Sequence, residues 1–179
     1  MTTVINPVRK LKVSTHWISA HGLTPNTSIQ HKPLLIYHQA FPPKTSAGAI
    51  ESHLSTVGVV SPQWRYTMYS RSHFHSTSHE VLCVYSGSAR LCFGGEDNPQ
   101  RVEPTVGCGD VIVIPAGVAH RLLEDRNGGF SMVGSYPTGK HWDTCYGELG
   151  EEEKIQGIKD LEWFQKDPVY GDEGPVLGV

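Results

Sequence analysis

Residues 73–87, HFHSTSHEVLCVYSG, and residues 109–120, GDVIVIPAGVAH, decide the fold of this chain. The first stretch carries two histidines two positions apart, followed by an apolar run that ends at a glycine. The second is an apolar run that reaches a proline and a glycine before a further histidine. Short apolar runs bounded by turn residues are typical of buried β-strands. Both stretches therefore predict strands whose histidines lie beside a turn.

The same pattern extends over residues 64–136, where turn residues recur about every ten positions, as in consecutive hairpins. This spacing predicts an all-β fold, an antiparallel β-barrel or jelly roll with short peripheral helices. Residues 33–41 add a strand, and helices are expected near residues 46–57, capped by Ser46, and near residues 151–156. The most apolar segments predict strands at residues 81–85, 89–93, 111–114 and 130–133.

The length of 179 residues predicts a single domain over residues 1–179. We expect a mostly irregular N-terminal extension over residues 1–32, a barrel core over about residues 33–136, and a C-terminal segment over residues 137–179 that wraps the barrel. The apolar segment LLIY at residues 34–37 would expose unpaired backbone groups if it were an edge strand. On that basis the sequence predicts a homodimer.

Composition excludes several classes of protein. The chain has 15 Lys and Arg against 18 Asp and Glu, so it lacks the basic field that nucleic acid binding requires. Its sequence contains neither a run of about 20 apolar residues nor the apolar stretch of a secretory signal, so we expect a cytoplasmic protein without membrane contact. The four cysteines show no CxxC spacing and are expected to be free thiols.

The histidines suggest a metal site. His73 and His75 share one face of a strand, and His120 can return from the second stretch to join them. A carboxylate with these imidazoles would form a nitrogen and oxygen site for a divalent transition metal. Strict alternation favours His79 on this face over Glu80, unless a bend in the serine- and threonine-rich segment between His75 and His79 resets it. An anionic ligand would also reduce the net charge of a buried divalent ion.

The two stretches resemble the paired motifs of the cupin superfamily. His73, His75, Glu80 and Gly87 match the first motif, and residues 109–120, ending in His120, match the second. The resemblance implies a small antiparallel barrel in which His73, His75, Glu80 and His120 bind Fe, Mn, Zn or Ni. Other segments, among them GSYP at residues 134–137, are similar to the YjlB-like group of single-domain cupins. With Glu80 as the ligand, His79 is predicted to orient a ligand or the substrate.

The pocket around such a metal is predicted to hold a small-molecule substrate. Counting back by twos from His73 places Arg71 and Tyr69 on its face, where they could hold an anionic substrate or transfer a proton. The alternative is that an arginine there, Arg65 or Arg71, lies past the barrel rim and is solvated. Three functions follow: a metal-dependent dioxygenase, which we favour, a non-oxidative isomerase, epimerase or lyase, or a non-catalytic binding module. An apolar lining is expected from Leu82, Val84, Leu91, Phe93 and Met132.

Overall fold

The computed structural model describes residues 5–179 and contains nine strands and two α-helices within them. The strands are β1 (Lys12–His16), β2 (Leu34–His38), β3 (Val60–Tyr66), β4 (Glu80–Ser86), β5 (Ser88–Phe93), β6 (Thr105–Gly107), β7 (Val111–Ile114), β8 (His120–Asp125) and β9 (Ser131–Pro137). The α-helices are α1 (Ala47–Val57) and α2 (Glu152–Gly157), and short 3₁₀ helices cover Val8–Lys10, Ile158–Asp160 and Pro175–Gly178.

The strands form two antiparallel sheets. The larger sheet has the order β1-β2-β7-β4-β9-β3, and the smaller has the order β6-β5-β8. An inner apolar cluster draws its side chains from both sheets and therefore lies between them. The predicted all-β class, with antiparallel strands and short peripheral helices, is confirmed.

The larger sheet is buried on both faces at its centre, where β7 is apolar at every position. In β7, Ile112 and Ile114 belong to the inner cluster, whereas Val111 and Val113 belong to a second cluster on the outer face. Helix α1 and the C-terminal segment cover that outer face. This burial explains why the sequence shows continuous apolar runs here instead of an apolar and polar alternation.

The segment LLIY is an interior strand and not an edge. It forms most of β2, which pairs with β1 on one side and β7 on the other, and its four side chains are fully buried. The edge is formed by β1, in a region expected to be irregular. The argument that led to the homodimer prediction is therefore wrong, because β1 already satisfies the backbone groups that a partner was expected to cover.

Local signals account well for helix α1. The Ser46 hydroxyl accepts a hydrogen bond from the Ala49 N–H at 3.2 Å, and Gly58 ends the helix in the left-handed conformation with φ of 79°. Ile50 and Leu54 pack into the outer cluster. The predicted cap and helix are confirmed.

The C-terminal segment is attached to the outer face around a buried carboxylate. Asp167 accepts a hydrogen bond from the Tyr37 hydroxyl at 2.7 Å and from the N–H groups of Val169 and Tyr170. Burial raises the pKa of Asp167 despite these donors.

Among residues 5–179, no helix has both the length and the apolar content that a bilayer span requires. The four cysteines are free thiols, as expected.

Candidate metal centre

Three imidazoles converge where the connection between β3 and β4 pairs with the start of β8. The N–H of His73 donates to the carbonyl of His120 at 3.2 Å, and the His120 N–H donates back at 2.9 Å. His75 follows two residues later, and its carbonyl accepts the N–H of Gly117 at 2.9 Å. One ring nitrogen from each of the three buried histidines lies within 4.8 Å of the others. The two sequence motifs thus come together in space.

Glu80 completes this cluster because a bend precedes β4. Residues 76 and 77 bend, and β4 then begins at Glu80, whose side chain lies on the inner face with Leu82. Glu80 Oε2 lies 3.3 Å from His75 Nε2 and 3.2 Å from His120 Nε2. The structure therefore brings together the four residues predicted as ligands, through the bend that resets the alternation.

His79 lies on the opposite side of the chain from the cluster. Its Nδ1 accepts the Ala116 N–H at 3.0 Å, so its Nε2 carries the proton and donates to the carbonyl of Glu162 at 3.0 Å. Its ring packs against Trp163 and Phe164, and burial lowers its pKa to about 4. His79 does not line the cavity, and both of its ring nitrogens bond the backbone, so its predicted role in orienting a ligand or substrate stays a prediction.

Backbone carbonyls set the tautomer of the three clustered histidines. Each Nδ1 lies within hydrogen-bond distance of a carbonyl oxygen, which can only accept, so each Nδ1 carries a proton. In the neutral form of each ring, Nε2 is therefore the nitrogen that carries the lone pair. The accepting carbonyls are, in the same order, those of Arg71 at 2.9 Å, Asp143 at 2.5 Å and Val118 at 3.0 Å.

The charge state of the cluster fits a cation. Burial raises the pKa of Glu80, but the adjacent imidazoles of His75 and His120 outweigh it and hold that pKa well below its usual range. Burial, with the neighbouring His120, lowers the pKa of His73 to about 3. The buried atoms His75 Nε2 and Glu80 Oε2 have no hydrogen-bond partner, although they are close enough to form an ion pair. One carboxylate and several converging lone pairs are the donor set of a divalent transition metal site.

A tyrosine that sequence reasoning missed holds the Glu80 carboxylate. The Tyr136 hydroxyl donates to Glu80 Oε1 at 2.8 Å and accepts a hydrogen bond from Trp64 Nε1 at 2.9 Å. Burial and the nearby Glu80 carboxylate raise the pKa of Tyr136, so its hydroxyl stays protonated. This hydrogen bond leaves Glu80 Oε2 directed at the histidines.

Residues 141–148, which we term the strap, hold the connection between β3 and β4 that carries His75. Phe74 and Cys145 exchange two backbone hydrogen bonds, at 2.9 and 2.8 Å. The Asp143 carboxylate accepts the Ser76 N–H at 2.7 Å and the Ser76 hydroxyl at 2.5 Å, while its carbonyl accepts from His75. Sequence reasoning missed Asp143 because only the fold brings it close to the motif.

The four side chains face a cavity of about 260 Å³. Leu82 and Met132 line it as predicted, whereas Val84, Leu91 and Phe93 lie in the inner core and not in the lining. Most of the remaining wall is aromatic or apolar. It consists of Trp64, Arg65, Tyr66, Thr67, Met68, Tyr69, Tyr136, Trp142 and Thr144.

Tyr69 and Arg71 lie at the mouth of the cavity. Strand β3 ends at Tyr66, so the alternation that was expected to carry both residues into the barrel is absent. The Tyr69 ring is exposed and lies 5.6 Å from the His73 ring. Arg71 is 64% exposed and forms an ion pair with Glu148 at 3.0 Å. Arg71 therefore lies solvated at the rim and does not point into the cavity from a strand.

Comparison with known proteins identifies the class. A family model described as Cupin matches residues 52–135, which include both motifs. The chain is also 31% identical over 169 residues to the protein named Uncharacterized protein YjlB from Bacillus subtilis (strain 168), covering 94% of this chain and 96% of that protein. The chain therefore belongs to the cupin family, as the motifs indicated. Within it, the chain matches YjlB over nearly its whole length.

More distant similarity exists to solved structures of larger proteins. Procruciferin, an 11S globulin from Brassica napus, is 15% identical with a TM-score of 0.34, covering 64% of this chain. A vicilin from Solanum melongena is 18% identical with a TM-score of 0.37 over 64% of this chain, and an oxalate decarboxylase is 15% identical with a TM-score of 0.35 over 76%. The present chain spans 22%, 25% and 28% of those three chains.

Proposed function

We propose that this cupin is a metal-dependent enzyme that acts on a small organic molecule within its barrel, and that the reaction is an oxygenation. The observation that carries the proposal is the convergence of three imidazole Nε2 atoms and one carboxylate at a buried cavity. His73, His75, His120 and Glu80 would hold the ion. When bound, Fe or Mn would supply open positions for dioxygen and substrate, whereas Zn or Ni would polarise a carbonyl group.

The chain's own residues prepare this site in two ways. Backbone carbonyls keep the imidazoles in the Nδ1–H tautomer, and Tyr136 directs the Glu80 carboxylate toward them. The apolar wall, which includes Met68, Leu82 and Met132, excludes water and favours an apolar substrate body. A volume of about 260 Å³ restricts this body to a small molecule.

The composition of the cavity wall favours oxygenation over proton-transfer reactions. Isomerases and epimerases that move a proton need a positioned base. Among the described residues that line the cavity, the carboxylate and imidazole groups all belong to the four proposed ligands. Tyr136 does not supply this base, because its raised pKa keeps the hydroxyl protonated and the hydroxyl donates to Glu80. A reaction that draws its reactivity from the metal and dioxygen needs no separate base.

The test is a substrate screen with and without oxygen. Protein stripped of metal is reloaded separately with Fe²⁺, Mn²⁺, Ni²⁺ or Zn²⁺ and incubated with a panel of small carboxylic acids, diols, thiols and phenols. Oxygen consumption is followed with an electrode, and products are identified by mass spectrometry. We expect oxygen consumption and oxygenated product with a redox-active metal, both abolished in the His120→Ala variant.

Two other outcomes would contradict the proposal. Isomerised or cleaved product formed without oxygen would replace the oxygenase with the isomerase, epimerase or lyase. Saturable binding of panel members without turnover under either condition would support a binding module instead.

A further inference from the structure

A second compartment adjoins the metal cavity on its outer side. It has a volume of about 320 Å³ and shares Tyr69, His73, Trp142 and Thr144 with the cavity, so the same four side chains border both spaces. Three large aromatic side chains around this compartment, Tyr69, Trp142 and Tyr146, are more than a third exposed. Exposed aromatic groups clustered at a cleft are typical of a ligand-binding surface.

The compartment contains one cation, which is held in a defined orientation. The Arg71 guanidinium carbon lies 3.6 Å from the centre of the Tyr146 ring, close enough for a cation–π interaction. Stacking of this kind leaves the edge of the guanidinium free to donate hydrogen bonds in its plane. The Arg71 carbonyl meanwhile accepts from His73, so the same residue lies beside both spaces.

The present partner of Arg71 is weakly held. Arg71 Nη2 donates to Glu148 Oε1 at 3.0 Å, and this bond uses one of the five guanidinium N–H donors. The two side chains are 64% and 62% exposed, and solvent screens ion pairs between such exposed groups. A carboxylate that brings further contacts can therefore displace Glu148 and form a bidentate pair with Arg71.

We propose that the outer compartment binds the carboxylate end of the substrate, with Arg71 as its partner and Glu148 as the group that it displaces. This inference rests on the proposed function, since it assigns the substrate of that site to the small carboxylic acids. The apolar body would lie against Tyr69 and Trp142, which border both spaces, and the reacting end would face the metal. A singly charged carboxylate suits the compartment better than a phosphate, because Arg71 is the one cation among its described lining residues.

The experiment uses hydroxamates as molecular rulers, because the hydroxamate group chelates divalent transition metals. Monohydroxamates of dicarboxylic acids with increasing numbers of methylene groups are titrated into Zn²⁺-loaded protein by calorimetry. Each is compared with the alkyl hydroxamate of the same length, which lacks the carboxylate. We expect one chain length at which the carboxylate improves affinity by about tenfold, the lower end for a charge-assisted hydrogen bond.

Substitutions test which residues cause the gain in affinity from the carboxylate. Arg71→Gln should remove it, and Glu148→Gln should increase it by up to about fivefold, the range for an exposed ion pair. The double variant should behave as Arg71→Gln does. Arg90→Gln is the matched control, because Arg90 pairs with exposed Glu103 and lines neither space. It should leave the improvement unchanged.

The outcomes separate this inference from the metal site. If alkyl hydroxamates bind but the carboxylate adds less than twofold at every length, the outer compartment proposal is wrong while the metal site stands. An improvement that survives Arg71→Gln in folded protein would also overturn it. If no hydroxamate binds metal-loaded protein, the proposed function fails, and this inference fails with it.

Discussion

The substitution Glu80→Gln removes the negative charge of the proposed ligand and keeps the size of its side chain, so it tests how much the charge contributes to metal binding. Glutamine has the size of glutamate, and the Tyr136 hydroxyl would still donate to the amide oxygen in the place of Glu80 Oε1. The amide NH₂ would then point at the Nε2 atoms of His75 and His120, which Glu80 Oε2 now faces at 3.3 and 3.2 Å. The variant thus replaces an anion by a donor that competes for two of the metal-binding lone pairs.

The expected loss of affinity follows from the ligand count. Structural zinc sites bind with about 10–16 kcal/mol over four ligands, or about 2.5–4 kcal/mol per ligand. Loss of the Glu80 contribution should therefore weaken metal binding by about 10²- to 10³-fold. Zn²⁺ at 100 times the wild-type Kd stabilises the fold by about 2.7 kcal/mol, which raises the Tm of a chain of this size by about 5–11 °C. The same Zn²⁺ concentration should raise the Tm of the variant by about 2 °C or less.

The assay is thermal unfolding of stripped protein with and without Zn²⁺, together with the Kd from chelator competition. The matched control is Glu103→Gln, which makes the same chemical change at a surface ion pair with Arg90 and should keep the full Tm increase. The Tm of the metal-free variant is measured beside that of the metal-free wild type, because changing one charged member of a buried cluster can itself alter the stability of the fold. Equal Kd values for wild-type protein and Glu80→Gln would refute the assignment of Glu80 as a ligand.

Three further substitutions test the groups around the centre. Asp143→Ala releases the connection between β3 and β4 that the strap holds and should weaken metal binding by about 10-fold or more, measured by the same competition. Tyr136→Phe removes the donor to Glu80 and should weaken binding by about 10-fold, with an unchanged Kd as the contrary result. His79→Ala leaves the Ala116 N–H without its acceptor and should cost about 1–3 kcal/mol of unfolding free energy in urea, with the metal Kd unchanged. His79 has a pKa of about 4 in the folded state, below the 6.5 of the unfolded chain, so its contribution to stability is present above pH 6.5 and is lost as the pH falls toward 4. Metal-free wild-type protein should accordingly lose more stability between pH 7 and pH 5 than His79→Gln does.

The motif residues could be predicted because short-range rules govern them. His73 and His75 stand two apart near a strand, and the bend after His75 comes from a run of turn-prone residues. That bend determines that Glu80 and not His79 faces the histidine cluster, whereas strict alternation alone predicts the reverse. The spacing of the second stretch likewise places His120 beside His73.

The groups that orient the ligands could not be predicted in the same way. Asp143 lies 67 residues from Ser76, and Tyr136 lies 56 residues from Glu80. Neither residue stands in a periodic pattern that marks it as part of the site. Only the pairing of β9 with β4 and the return of the strap bring them there.

Two errors have a common physical cause, which is that the ends and edges of strands depend on distant partners. The segment LLIY is apolar because it is buried between β1 and β7, yet its sequence is equally compatible with an edge strand. The inward-facing positions predicted for Tyr69 and Arg71 assume that the strand continues to His73, but the strand ends at Tyr66. Periodicity describes the inside of an element better than its limits.

The central claim is that three histidines bind a divalent metal through Nε2, and NMR of the imidazole nitrogens tests it most directly. In ¹⁵N-histidine-labelled protein, long-range ¹H–¹⁵N spectra distinguish the two ring nitrogens and report their protonation. One equivalent of Zn²⁺ should shift the Nε2 resonances of His73, His75 and His120, with Nδ1 protonated throughout, and leave His79 unchanged. Zn²⁺ that shifts a different set of histidines, or that leaves these three Nε2 resonances in place, would contradict the account.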